Sequence, residues 1–101
     1  MYKYGRVCNI SYLLNIVTVD IDKLIDIGKA RVYFDKGKAC FLKINKENNY
    51  SSFLVQRCIS YFSMSISLMD LEIEKENKQK AIILKVMNNL NITIENLKKL
   101  Q

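Results

Sequence analysis

The chain contains no proline and only three glycines, Gly5, Gly28 and Gly37. It therefore has no flexible linker and no natural break between domains. Its 101 residues must fold as one unit, around a single modest core that a dimer interface would supplement. Half the residues are hydrophobic and 26% are charged, which places the chain among globular sequences rather than disordered ones.

The opening residues, Met1 to Arg6, hold no apolar run suited to a signal peptide. The longest apolar stretches, Leu13–Val19 and Ala81–Leu84, are too short to span a bilayer. The expectation is a cytoplasmic protein with no membrane partner. Cys8, Cys40 and Cys58 are an odd number without paired spacing, and the chain has no histidine. That pattern argues against a disulfide framework and against zinc, and it suits buried free thiols in a reducing compartment. Cationic residues are mostly lysine, with abundant isoleucine and asparagine. AT-rich bacterial, plasmid, phage and viral genomes encode such mixtures.

The charge is unevenly placed. Between Lys29 and Lys46, six basic side chains (Lys29, Arg31, Lys36, Lys38, Lys43, Lys46) face Asp35 alone, so this segment holds five of the six net charges. Residues 1–28 are neutral overall. A concentrated basic field is the footprint of a phosphate-binding surface. The plainer alternative is a solvated hairpin whose lysines discourage edge pairing.

Local patterns predict short helices over residues 9–16, with Asn9 as N-cap, and 18–27, with Ile21, Leu24 and Ile25 on one face. Gly28 suits the left-handed position that ends a helix. Arg31–Phe34 and Ala39–Ile44 alternate around Asp35-Lys36-Gly37-Lys38, which predicts a β-hairpin turning at Gly37. Val32, Phe34, Cys40, Leu42 and Ile44 form its inward set, and Arg31, Tyr33, Phe41 and Lys43 its outward set. A helix from Ser51 or Ser52 to about Phe62 follows, then an alternating strand from Ser63 to Leu68 that can run on to Ile73. After a charged loop, Ala81–Met87 fits strand or helix equally well. A closing helix starts at Thr93 as N-cap, with Ile92 and Leu97 as its hydrophobic staple.

Two short helices followed by a basic hairpin follow the order of a winged helix-turn-helix. Ser11 stands at the small position, Leu13-Leu14 close the first helix, Asn15 replaces the usual turn glycine, and Ile16 follows. Ile21, Leu24 and Ile25 take the buried positions of the second helix, and Gly28 precedes the hairpin. Residues 9–46 thus resemble the MerR- and excisionase-like winged helix-turn-helix DNA-binding proteins. The resemblance implies double-stranded DNA as partner. One departure is marked: Asp20, Asp22 and Asp26, with Lys23 alone to offset them, line the solvent side of the supposed recognition helix.

Catalysis has no support, because no histidine, Gly-rich phosphate loop, HExxH or GxSxG is present. The run Asp70, Glu72, Glu74, Glu76 is read as one solvated strand face. The expected fold is α+β in one domain: a winged helix-turn-helix-like unit with a basic β-hairpin wing over 9–46, and a strand/helix dimerisation part over 50–101. The expected function is DNA binding without cofactor or small-molecule substrate, as a homodimer, for a plasmid or phage regulator or an accessory factor at an origin. The expected contacts are Lys29, Arg31, Tyr33, Lys36, Lys38, Phe41 and Lys43 on the wing, Lys3 and Arg6 on the N-terminal arm, and Lys23. The competing expectation is a phage- or plasmid-encoded interaction module that binds a partner protein through the apolar C-terminal half.

Overall fold

The computed structural model describes residues 2–75 and 78–100, with side chains from residue 5 onward. Four helices account for the described elements: α1 (Tyr2–Asp22), α2 (Lys29–Glu47), α3 (Ser52–Glu74) and α4 (Lys80–Lys98). Among the described residues there is no strand. The α+β expectation, with its wing and helix-turn-helix, is therefore overturned.

The hairpin expected over 31–44 is the middle of α2, and the reason lies in the spacing of its apolar residues. Ala30, Phe34, Gly37, Phe41 and Ile44 follow one another at intervals of four and three, and all five are buried. Strand alternation instead assigned Val32 and Leu42 to the interior, where they would have been wasted: they are 47% and 51% exposed. The same pattern satisfied both periods, and the helical one gathers two phenylalanines onto a single stripe.

Gly37 accordingly supplies no turn. It lies inside the helix because the ring of Phe62 occupies the space a Cβ would need. A neighbouring glycine, Gly28, does take a positive φ of 57°, but as the N-cap of α2 and without a side-chain cap. Asn48 closes α2 in the left-handed conformation, with its N–H donating to the carbonyls of Asn45 and Ile44.

The supposed strand at 63–73 belongs to α3, which Ser51 caps by accepting from the Leu54 N–H at 3.4 Å. Its serines are not one solvent face. Ser65 is fully buried and donates to the Ala30 carbonyl at 2.7 Å, which satisfies its hydroxyl inside the core. The expected helix over 9–16 and the first part of that over 18–27 are a single α1, which ends at Asp22, and Asn15 sits within it rather than in a turn. Thr93 is no N-cap either. It is buried inside α4 and donates to the Asn89 carbonyl.

Contacts along α2 and α3 run in opposite senses: Ala30 meets Ser65, Phe34 meets Phe62, and Cys40 meets Leu54. Asp20 near the end of α1 reaches Lys85 near the start of α4. The helices thus alternate up and down as a bundle measuring 42 × 21 × 18 Å. Within it α2 packs chiefly on α3 and α1 chiefly on α4, while α3 and α4 join the two pairs. Helices α1 and α2 approach one another least. Their connection is tied across the bundle end by Gln79, whose side chain donates to the Ile25 carbonyl and accepts from the Ile25 N–H, both at 2.8 Å. No described helix is long and apolar enough to cross a membrane.

Candidate nucleic-acid interface

Winding the basic segment into a helix divides its charges among three faces. Lys29, Lys36 and Lys43 recur every seven residues, which is two turns, so they share one stripe beside α3. All three are exposed, and none has an ion-pair partner among the described residues. Tyr33 lies on the same stripe, half-buried, with the Lys36 ammonium 5.7 Å from its ring centroid. Across the groove, Tyr61 of α3 stacks on Tyr33 with centroids 6.5 Å apart.

The other expected contacts go elsewhere. Arg31 faces α1 and is held by Asp22 at 2.7 Å and Asp35 at 3.9 Å. Lys38 is half-buried and donates to Thr18 Oγ1 at 2.8 Å. Phe41 is fully buried in the core and touches no ligand surface. Lys23 lies 3.9 Å from the Asp20 carboxylate. Arg6 is half-buried on α1, and the Lys3 side chain lies outside the described residues. Of the acidic run, Asp70 and Glu74 are exposed on α3, Glu72 pairs with Lys75 at 3.7 Å, and Glu76 is outside the described residues.

Beside the lysine stripe runs a groove of ≈ 420 Å³ between α2 and α3, lined by Lys36, Cys40, Lys43, Leu54, Arg57 and Tyr61, with Glu47 at its end. Cys40 reaches its floor, where its thiol donates to the Leu54 carbonyl at 3.9 Å, and the fully buried thiol of Cys58 lies behind it. Burial first, and the neighbouring Cys40 second, push the Cys58 thiol far above its ordinary pKa, so it stays protonated and inert. Arg57 was missed at the sequence level. Its guanidinium carbon sits 5.7 Å from the Phe53 ring centroid, turned along the outer face of α3. The Phe53-x₃-Arg57-x₃-Tyr61 spacing, which puts a cation between two aromatic residues on one side of a helix, is the signal that points to it.

A larger cleft of ≈ 820 Å³ opens where α1 and α2 diverge, lined by Val7, Cys8, Ser11, Tyr12, Asn15, Asn45, Asn48 and Tyr50. Amide and hydroxyl groups share its lining with a larger apolar surface and no Lys or Arg lines it, so it offers a phosphate no counter-charge. Among the described residues no group of three or more His, Cys, Asp or Glu could hold a metal ion. No protein-family model, curated protein or solved structure matches the chain.

Proposed function

We propose that the chain is a non-catalytic nucleic-acid-binding protein that holds the phosphate backbone of duplex DNA along α2. The observation that carries this reading is the unpaired, exposed row Lys29, Lys36 and Lys43. Fourteen residues of helix span about 21 Å, which covers roughly six base pairs at 3.4 Å per pair along one strand. Helix α2 as a whole holds six basic side chains against Asp35 and Glu47, so the surrounding field favours a polyanion over an isolated anion.

Phosphate contacts position a protein without reading sequence. The stripe presents lysines and a tyrosine, with no Arg, Asn or Gln to take a base edge bidentately. Binding is accordingly expected to be indifferent to sequence and steeply dependent on salt. An accessory role at DNA fits that behaviour better than operator recognition.

Three phosphate contacts give a slope of about −2.7 for log affinity against log salt. The test measures that slope for random duplexes, for the native chain and for Lys36→Ala/Lys43→Ala. The paired substitution should reduce the slope by about two. An unchanged slope and affinity would sink the proposal.

A further inference from the structure

The groove between α2 and α3 does not stop at Tyr61. Two further hollows, of ≈ 430 and ≈ 440 Å³, continue it over the outer face of α3. The first shares Arg57 and Tyr61 with the groove and reaches Phe53 and Met64. The second shares Met64 and returns to Lys29 and Tyr33 on the lysine stripe. The three hollows thus form one continuous surface with the stripe.

Cations and aromatic rings alternate on both helices of this surface. The order is Lys29, Tyr33, Lys36 on α2 and Phe53, Arg57, Tyr61 on α3, each step three or four residues, so neighbours share a face. Lys36 lies 5.7 Å from the Tyr33 ring centroid, and Arg57 the same distance from that of Phe53. Arg57 is exposed and, like the three lysines, has no ion-pair partner among the described residues. Among those residues Glu47 is the one acidic side chain that lines any of the hollows. Phe53 and Met64 are 72% and 44% exposed, so the cationic surface also carries uncovered apolar groups.

A duplex leaves the α3 half of this surface unused. Its bases are paired and stacked inside, so the lysines would meet phosphates while Phe53 and Met64 stayed in water. An unpaired strand instead offers phosphates and free base faces in alternation, which matches the alternation of cations and rings. Base–aromatic stacking also tolerates any sequence. We infer that this surface binds an unpaired segment of DNA, with phosphates along Lys29, Lys36, Lys43 and Arg57 and bases against Phe53, Tyr61 and Met64. The inference rests on the proposed reading of the lysine stripe as a phosphate contact, and adds to it a second helix and the state of the strand.

Fluorescence anisotropy with three labelled probes of equal length tests it: a mixed-sequence single strand, the same backbone with abasic residues across its central positions, and the corresponding duplex. The strand with bases should bind at least about fivefold more tightly than its abasic counterpart. Phe53→Ala should remove most of that preference while leaving duplex affinity and both salt slopes unchanged, because the ring is exposed and uncharged. Arg57→Ala should lower the single-strand slope by about 0.7 and leave the duplex slope alone. Phe53→Trp should keep the preference. The chain has no tryptophan of its own, so the emission of this variant should be quenched by the strand with bases and not by the abasic one. Equal affinity for the two single strands, or a preference that Phe53→Ala leaves intact, overturns the inference while a steep duplex slope still supports the lysine stripe. A flat salt slope with single and double strands alike removes the reading of the stripe, and the inference with it.

Discussion

The Phe62 ring lies against the backbone of Gly37, so close that a Cβ there would sit 2.7 Å from Phe62 Cε1. Helix propensity alone favours alanine over glycine by about 1 kcal/mol. Phe62 is fully buried and packed on Phe34, so its ring has little room to withdraw. Overpacking of that kind costs about 1–3 kcal/mol. Gly37→Ala should therefore lower stability, by about 1 kcal/mol net. Gly5→Ala, where nothing lies within 4 Å of the added Cβ, should be neutral or stabilising. Urea denaturation of the two variants gives the comparison, and equal effects would contradict the close approach.

Cys58 makes stability fall in alkali. Its pKa in the fold is raised above the ordinary value of 9.0, so above that pH the unfolded chain loses the thiol proton while the native state keeps it. The unfolded state then binds fewer protons, and stability drops by about 1.4 kcal/mol per pH unit from this group. The contribution is fully present below pH 9.0 and is lost as pH rises beyond it. Cys58→Ala should be less stable near neutrality because of its cavity, with the gap to the native chain narrowing above that pH. A constant gap between pH 8.5 and 10.5, to within about 0.5 kcal/mol, would contradict this.

The carboxylate of Asp20 is 5% exposed, with Lys23 at 3.9 Å and Lys85 at 3.6 Å, and its Oδ2 accepts no hydrogen bond among the described residues. Lys85 is thus the nearer neutralising charge for a carboxylate already short of partners. Lys85→Met should cost about 1–2 kcal/mol, less than a fully buried pair would, because the lysine itself is solvated. Lys98→Met, which removes the exposed pair with Glu95, should cost under about 0.5 kcal/mol. Thermal denaturation at low ionic strength separates the two.

The basic residues of α2 divide by task. Lys38→Ala removes a hydrogen bond to Thr18 and should cost about 1 kcal/mol of stability. It should leave the salt dependence of DNA binding unchanged. Lys36→Ala should do the reverse, lowering the slope by about one with little effect on Tm. Paired melting curves and salt titrations read both effects, and the opposite assignment would contradict the division of faces.

The sequence made some of this legible. The concentration of cations between Lys29 and Lys46 survives as the charge of α2, and Lys29, Tyr33, Lys36 and Lys43 do share a surface. What escaped was the period. Phe34, Phe41 and Ile44 satisfy the helical repeat, while Val32, Leu42 and Ile44 satisfy the alternating one, and the glycine between them looked like a turn. Only the ring of Phe62, on a different helix, explains why Gly37 sits in mid-helix. Ser63 to Leu68 misled for a related reason: Ser65 is inside because the Ala30 carbonyl receives its hydroxyl, and no periodicity of hydrophobicity reports such a bond.

The unequal pairing of the helices bears on the order in which the bundle can assemble. Helices α2 and α3 are joined by a short connection and pack on each other most extensively, so they can close as soon as both exist. Helix α1, by contrast, finds its main neighbour in α4, the most distant of the other three helices along the chain. Closing so long a loop costs more chain entropy than forming the central hairpin. Helix α1 is therefore the last of the four to be seated, and until Lys85 and Gln79 come into place its apolar stripe stays uncovered.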